Sequence, residues 1–131
     1  MRAVFDTNKF VSAFAIPGGR ADAAILKATE GEVHLVISRP IIHEVLDVLA
    51  RKFDRNSEEL ARVAVFLSEL AEVVAPRSRL KVLRDEPDNR ILECAVTGKA
   101  DVIVTGDQAM LQLAEYREIR ILSLKDFLKT G

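Results

Sequence analysis

The sequence predicts an α/β fold, a three-layer α/β/α sandwich around a central parallel sheet of about five strands. Three observations carry that expectation. Short apolar runs at 2–5, 34–38, 73–75, 102–105 and 119–122 read as strands. Segments with apolar residues at helical spacing lie between most of them, and Gly or Pro stands at several junctions. Strands alternating with helices imply parallel pairing, and right-handed crossovers then cover both faces of the sheet. At 131 residues the chain is expected to form a single domain, 1–131. That length buries roughly two thirds of the surface its unfolded form exposes.

Arg2 to Phe5 is an apolar strand that ends abruptly on Asp6. Asn8 to Phe14 continues as a short helix until Pro17-Gly18-Gly19 breaks it. Ala21 to Thr29 forms a second helix with Ala24, Ile25 and Ala28 on one face, stopped by Gly31. His34 to Ser38 is the second strand. Pro40 suits the first turn of the next helix, where Ile41, Val45, Val48 and Leu49 recur at helical spacing to about Phe53. Glu44 sits beside that stripe. Asn56 or Ser57 caps a further helix, 57 to 71, with Leu60, Val63, Phe66, Leu67 and Leu70 spread around much of its circumference. So wide an apolar surface needs two neighbours, either core on both sides or core and a second protein chain.

Val73 to Ala75 is a third short strand, closed by Pro76. The stretch Asp85 to Asp107 then reads as a loop ending in Pro87, a helix started by Asp88 and stopped by Gly98, and a strand from Val102 to Thr105. A turn at Gly106 delivers Asp107 to the next helix start. Ile119 to Leu122 is the fifth strand, and Ser123 caps a terminal helix that runs to Leu128.

A net charge of -1 indicates neither a disordered chain nor a polycationic tail, so any nucleic-acid contact must be local. The single Cys94 excludes an internal disulfide and a cysteine-based zinc site; sharing its helix with Ile91, Leu92 and Ala95, it reads as core. Nothing resembles a signal peptide, and no apolar run approaches the roughly 20 residues of a bilayer span, so a cytoplasmic protein without membrane contact is expected. His34 and His43 lack metal-ligand spacing, and Pro17-Gly18-Gly19-Arg20 lacks the pattern of a phosphate-binding loop.

In doubly wound sheets the functional cleft lies beyond the carboxyl ends of the strands, where the winding direction changes. Asp6, Glu44, Asp88 and Asp107 should collect there. Two readings stay open. Asp is a favoured helix cap, which would explain Asp88, Asp107 and even Asp6, with Glu44 a solvated flank residue. Capping does not explain convergence, however, because gathered carboxylates repel and raise each other's pKa. Lys9 and Arg39 are near in sequence, but Mg²⁺ or Mn²⁺ suits a cluster of oxygen ligands better and supplies the chemistry of phosphodiester hydrolysis. The basic residues Arg77, Arg79 and Lys81 could hold a nucleic-acid backbone, although solvated surface explains them equally simply.

Four segments in order carry a resemblance: V-F-D-T-N-K-F-V-S-A-F at the start, E-V-L-D-V-L-A-R after the second strand, then D-E-P-D-N-R-I-L-E-C-A and V-T-G-D. The chain resembles the PIN-domain nucleases from about Arg2 to Leu128, and is most similar to the VapC-like branch of toxin components of toxin–antitoxin systems. The resemblance implies a metal-dependent endoribonuclease with an acidic Mg²⁺ or Mn²⁺ site, an RNA substrate and an antitoxin protein as partner. Carried onto matching positions, it makes Asp6, Glu44, Asp88 and Asp107 the catalytic and metal-holding acids. Asn8 and Thr105 fall on supporting positions, and Asp85 on a further acid. Two departures stand out. Lys9 replaces a usually apolar residue, and Met110 stands where another acid often follows the Thr-Gly-Asp turn, which bears on whether one or two ions bind.

A homodimer would suit the broad apolar helix. Two other functions remain on the sequence alone: a phosphatase with Asp6 as aspartyl nucleophile, disfavoured by Asn8 where that chemistry wants a second Asp, and a non-catalytic protein-binding module whose acids only cap helices.

Overall fold

The computed structural model describes residues 1–130. The strands are β1 Arg2–Phe5, β2 His34–Ser38, β3 Glu72–Val74, β4 Val102–Val104, β5 Glu115–Tyr116 and β6 Ile119–Leu122. The helices are α1 Thr7–Ala15, α2 Arg20–Thr29, α3 Arg39–Phe53, α4 Ser57–Leu70, α5 Glu86–Thr97, α6 Gln108–Leu113 and α7 Leu124–Leu128. The strands form one six-stranded sheet in the order β3-β2-β1-β4-β6-β5, parallel except for β5. The α/β class is as expected, but the sheet has one strand more and is mixed.

The extra strand is a two-residue edge piece that hairpins onto β6, pairing Tyr116 with Ile119. Its turn places Arg117 and Glu118 at φ 48 and 69, a left-handed geometry usually marked by Asn or Gly. The start of α5 is a second correction. The helix begins at Glu86, with Asp85 as its N-cap, so Pro87 is inside the first turn and Asp88 is one residue further in. Proline tolerates that place because the first N–H groups of a helix have no internal partner. Asp88 is therefore not the cap.

β1 and β4 are the central pair: from β1 the chain moves outward through β2 and β3, then crosses back to β4 and moves outward on the other side to β6 and β5. That reversal puts the topological switch between the carboxyl ends of β1 and β4. Helices α1, α2 and α7 pack together, while α5 lies across β1, β2 and β4. Between these layers the core is fully apolar at its centre, with Phe5 packed tilted on Phe10 at 5.6 Å and edge-on to Phe127 at 5.4 Å between ring centroids.

α4 is not wedged into this core. Only Val63 and Leu67 are buried on it, and Val65 and Phe66 remain 56% and 38% exposed. Of the two ways to satisfy its wide apolar surface, packing on both sides by the chain's own core is excluded.

Candidate active site

β1 is buried to its end, and the next residue, Asp6, turns the chain into α1. Asp6 Oδ1 accepts the Lys9 N–H at 3.0 Å, an N-cap, and the residue is only 6% exposed. Its other oxygen is used as well. The Thr105 hydroxyl donates to Asp6 Oδ2 at 2.5 Å, and Thr105 Oγ1 accepts the Asp107 N–H at 3.0 Å. Asp107 in turn caps α6, with Oδ2 accepting the Met110 N–H at 3.0 Å. A chain of hydrogen bonds thus ties the ends of the two central strands together. Met110 is fully buried, so the residue at this departure from the family pattern is part of the core.

Asp88 meets this pair from the first turn of α5. Burial pushes its carboxyl up to about 7, helped by the negative charges of Asp107, Asp85 and Asp6 and by the Asp107 carboxylate within hydrogen-bonding reach. With both groups ionised, Asp88 Oδ2 is buried without a donor. Asp6 is also raised by burial, an effect opposed by Thr105, the Lys9 N–H and the Lys9 ammonium. Lys9 reaches back across the turn: a Cβ on Gly106 would lie 3.0 Å from its Nζ. Lys9 therefore offsets part of the acidic charge.

Glu44 stands apart from this trio. It is half-buried on α3 and walls an adjoining cleft of about 240 Å³ together with Thr7, Glu86, Pro87 and Arg90. Asn8 is exposed. Asp85 acts on Asp88 through its charge. Arg77 and Arg79 line a second cavity next to the cleft, and Lys81 is exposed outside that lining. The structure thus brings Asp6, Asp107 and Asp85 to bear on Asp88, with Glu44 on the flank.

Among the described residues, no three His, Cys, Asp or Glu side chains stand in a ready-made ligating arrangement. The fit to a cation rests on the donor chemistry. Carboxylate oxygens are the ligands hard divalent ions prefer, and a buried oxygen without a donor, facing other carboxylates, is stabilised by a cation as it would be by a proton.

Sequence reasoning missed three residues around the site. Glu86 faces the cleft from the first turn of α5 and pairs with Arg90 at 3.2 Å. Asn89, fully buried, accepts from the Val82 and Leu83 N–H groups at 3.1 and 2.8 Å and donates to the Leu83 carbonyl at 2.8 Å. Glu93 accepts the Leu80 N–H at 2.7 Å and pairs with Arg90 at 2.9 Å. Asn89 and Glu93 fasten the basic loop before α5 to the helix. The available signal was their spacing, four residues apart and so on one face of the helix.

A family model described as PIN domain matches residues 2–109. An uncharacterized protein of Methanocaldococcus jannaschii is 28% identical over 132 residues, covering 95% of this chain and 84% of that protein. Among solved structures, VapBC2 from Rickettsia felis bound to a DNA fragment from its promoter superposes with a TM-score of 0.66 at 16% identity, over 94% of this chain and 98% of the other. VapBC-1 from nontypeable Haemophilus influenzae gives a TM-score of 0.64 at 16% identity, over 95% and 99%. At such identities the likeness is one of fold.

Proposed function

The chain belongs to the PIN domain family, and from that premise we propose that it is an Mg²⁺- or Mn²⁺-dependent endoribonuclease, the toxin of a toxin–antitoxin pair. One observation carries the catalytic reading. Asp6, Asp88 and Asp107 come from three separate elements: Thr105 links Asp6 to Asp107, and burial, added to by the charges of Asp107, Asp85 and Asp6, raises Asp88 to about 7. Helix capping alone requires no such gathering.

Asp6, Asp88 and Asp107 would hold the ion, with Glu44 completing the set across the cleft. When bound, a divalent cation lowers the pKa of water and stabilises charge on the leaving oxygen of a phosphodiester. The chain's own residues supply the rest. Thr105 fixes the orientation of Asp6, the Asp107 N–H fixes Thr105, and Lys9 moderates the negative potential that would otherwise repel an RNA backbone. Hydrolysis in this arrangement leaves a 5′-phosphate and a 3′-hydroxyl.

The aspartyl-phosphatase alternative is weakened by the same geometry. Both Asp6 oxygens already accept hydrogen bonds, and the neighbouring Asn8 is an exposed amide that cannot act as an acid. The toxin role is supported by the family and by the VapBC assemblies that share the fold. A protein partner, antitoxin or second copy, would cover Val65 and Phe66 of α4, which the fold leaves exposed. No described helix is long and apolar enough to cross a membrane, which is compatible with a cytoplasmic RNA target.

The deciding experiment is RNA cleavage with Mn²⁺ by the wild-type chain beside Asp6→Asn. The expected result is cleavage abolished by EDTA and reduced at least ~100-fold by the substitution, in line with loss of a principal charge-stabilising group. Cleavage that persists in EDTA, or in Asp6→Asn, would refute the assignment.

A further inference from the structure

The second cavity is not used by the chemistry above. It lies beyond the carboxyl ends of β2 and β3, at the sheet's outer edge, and has a volume of about 510 Å³. It shares Pro40 and Arg90 with the acidic cleft, so the two adjoin. Four arginines line it: Arg39, Arg77, Arg79 and Arg90. Arg90 is committed to Glu86 and Glu93. Among the described residues, Arg39, Arg77 and Arg79 form no ion pair.

In a chain of net charge -1, three uncompensated guanidinium groups at one cavity are a local feature that calls for an anion. The remaining lining is of a different kind. Ser38 is fully buried there, and its hydroxyl has no hydrogen-bond partner beyond contact with the Cys94 thiol, a weak one. Val74, Ala75 and Pro76 add apolar wall. Cations beside a buried polar atom and an apolar wall match a phosphate that carries a flat, partly apolar group better than a bare anion. The volume is in the range of small-molecule sites. The loop that carries Arg77 and Arg79 is also held in place, since Asn89 and Glu93 bind its backbone further along.

We propose that this cavity is a nucleotide subsite, in which one unpaired nucleotide of the RNA next to the scissile phosphodiester places its phosphate among Arg39, Arg77 and Arg79 and its base against the apolar wall of Val74, Ala75 and Pro76. The assignment rests on the ribonuclease reading for the identity of the polymer. Guanidinium planes and apolar walls accept any base by stacking, whereas a duplex keeps its bases inside and cannot fill the cavity. Selection for unpaired RNA follows from the shape. Lys81 takes no part.

The test is binding of a fluorescein-labelled ten-nucleotide single-stranded RNA, and of the duplex with the same sequence, by the full chain in EDTA over a salt series. Arg39→Ala and Arg77→Ala should each weaken the single strand ~3- to 10-fold and lower the log–log salt slope by about 0.7. The wild type should bind the duplex more weakly than the single strand, because paired bases cannot enter the cavity. Arg62→Ala, on the exposed face of α4, is the control and should bind as wild type, with all variants melting at the wild-type temperature. Wild-type affinity and slope in the Arg39→Ala/Arg77→Ala double variant would overturn the subsite, as would displacement of the RNA by an all-glutamate decapeptide at equal concentration, which would mark a peptide site instead. Because binding is read without metal, the two readings fail separately: variants that bind poorly while the wild type never cleaves sink the nuclease and leave the subsite, and the converse sinks the subsite alone.

Discussion

Replacing Asp88 with Asn should stabilise the metal-free protein, by an amount that grows as pH rises from about 4 to about 7. Folding raises this carboxyl from 3.8 to about 7. Below about pH 4 it is protonated in both folded and unfolded chains and contributes no difference. Between pH 4 and 7 the folded chain retains a proton that the unfolded chain releases, so stability is lost steadily as pH rises, and the whole loss is present by pH 8. Each tenfold change in the protonation equilibrium is worth about 1.4 kcal/mol, which sets a ceiling of ~4 kcal/mol for this group. Asp88 is half-exposed, so water and salt screen most of that, leaving ~1 to 2 kcal/mol. Asn keeps the shape and can donate to Asp107 where a carboxylate cannot. The assay is urea unfolding in EDTA at pH 4.5 and pH 8. Asp88→Asn should match the wild type at the lower pH and exceed it at the higher, by roughly 4 to 7 °C if followed as melting temperature. Added Mn²⁺ should then stabilise the wild type at pH 8 and the variant far less, since the ion replaces the missing proton. A variant that is less stable than the wild type at pH 8, or whose advantage is equal at both pH values, would refute the electrostatic account of the site.

Three further outcomes follow from particular contacts. Lys9→Ala removes the ammonium that opposes the acids around Gly106, so calorimetry should find Mn²⁺ bound about fivefold more tightly, the equivalent of ~1 kcal/mol of relieved repulsion; weaker binding would mean that Lys9 supports the site in some other way. Gly98→Ala places a Cβ 2.3 Å from the Val36 Cγ1, a clash against a buried strand, and should cost ~1 to 3 kcal/mol in denaturant unfolding without altering metal binding. Asn89→Ala strips three hydrogen bonds from the loop before α5, and should appear as faster amide exchange at Val82 and Leu83 with a loss of ~1 to 3 kcal/mol; unchanged exchange there would show that the loop is held by other contacts.

The placement of Asp6 and Asp107 was legible because each follows an apolar strand and opens a helix, a pattern that fixes position within a residue or so. Local signals failed where the determining contact is distant or the turn chemistry unusual. The β5–β6 turn carries Arg117 and Glu118 in left-handed geometry, so neither an Asn nor a Gly announced the hairpin. Pro87 reads equally as the end of a loop or the first turn of a helix, and only the backbone decides. Asn89 and Glu93 look like the polar side of a helix until the loop from Leu80 to Leu83 is seen against them. The apolar circumference of α4 likewise gives no direction. It demanded two neighbours, and the fold supplies one.

Capping and metal holding, opposed in the sequence, are compatible in the structure because the acids divide the work unequally. Asp6 commits both oxygens, one to a helix N–H and one to Thr105, and Asp107 commits one oxygen to a helix N–H. These bonds hold the two carboxylates rigidly at the ends of β1 and β4. Asp88 makes no such bond through Oδ2 and stands third in its helix rather than at its cap. Burial first, and then repulsion from its acidic neighbours, acts on Asp88, the member least restrained by hydrogen bonds. It is the group through which a proton or a cation should enter, and so the position where charge, stability and metal affinity ought to change together.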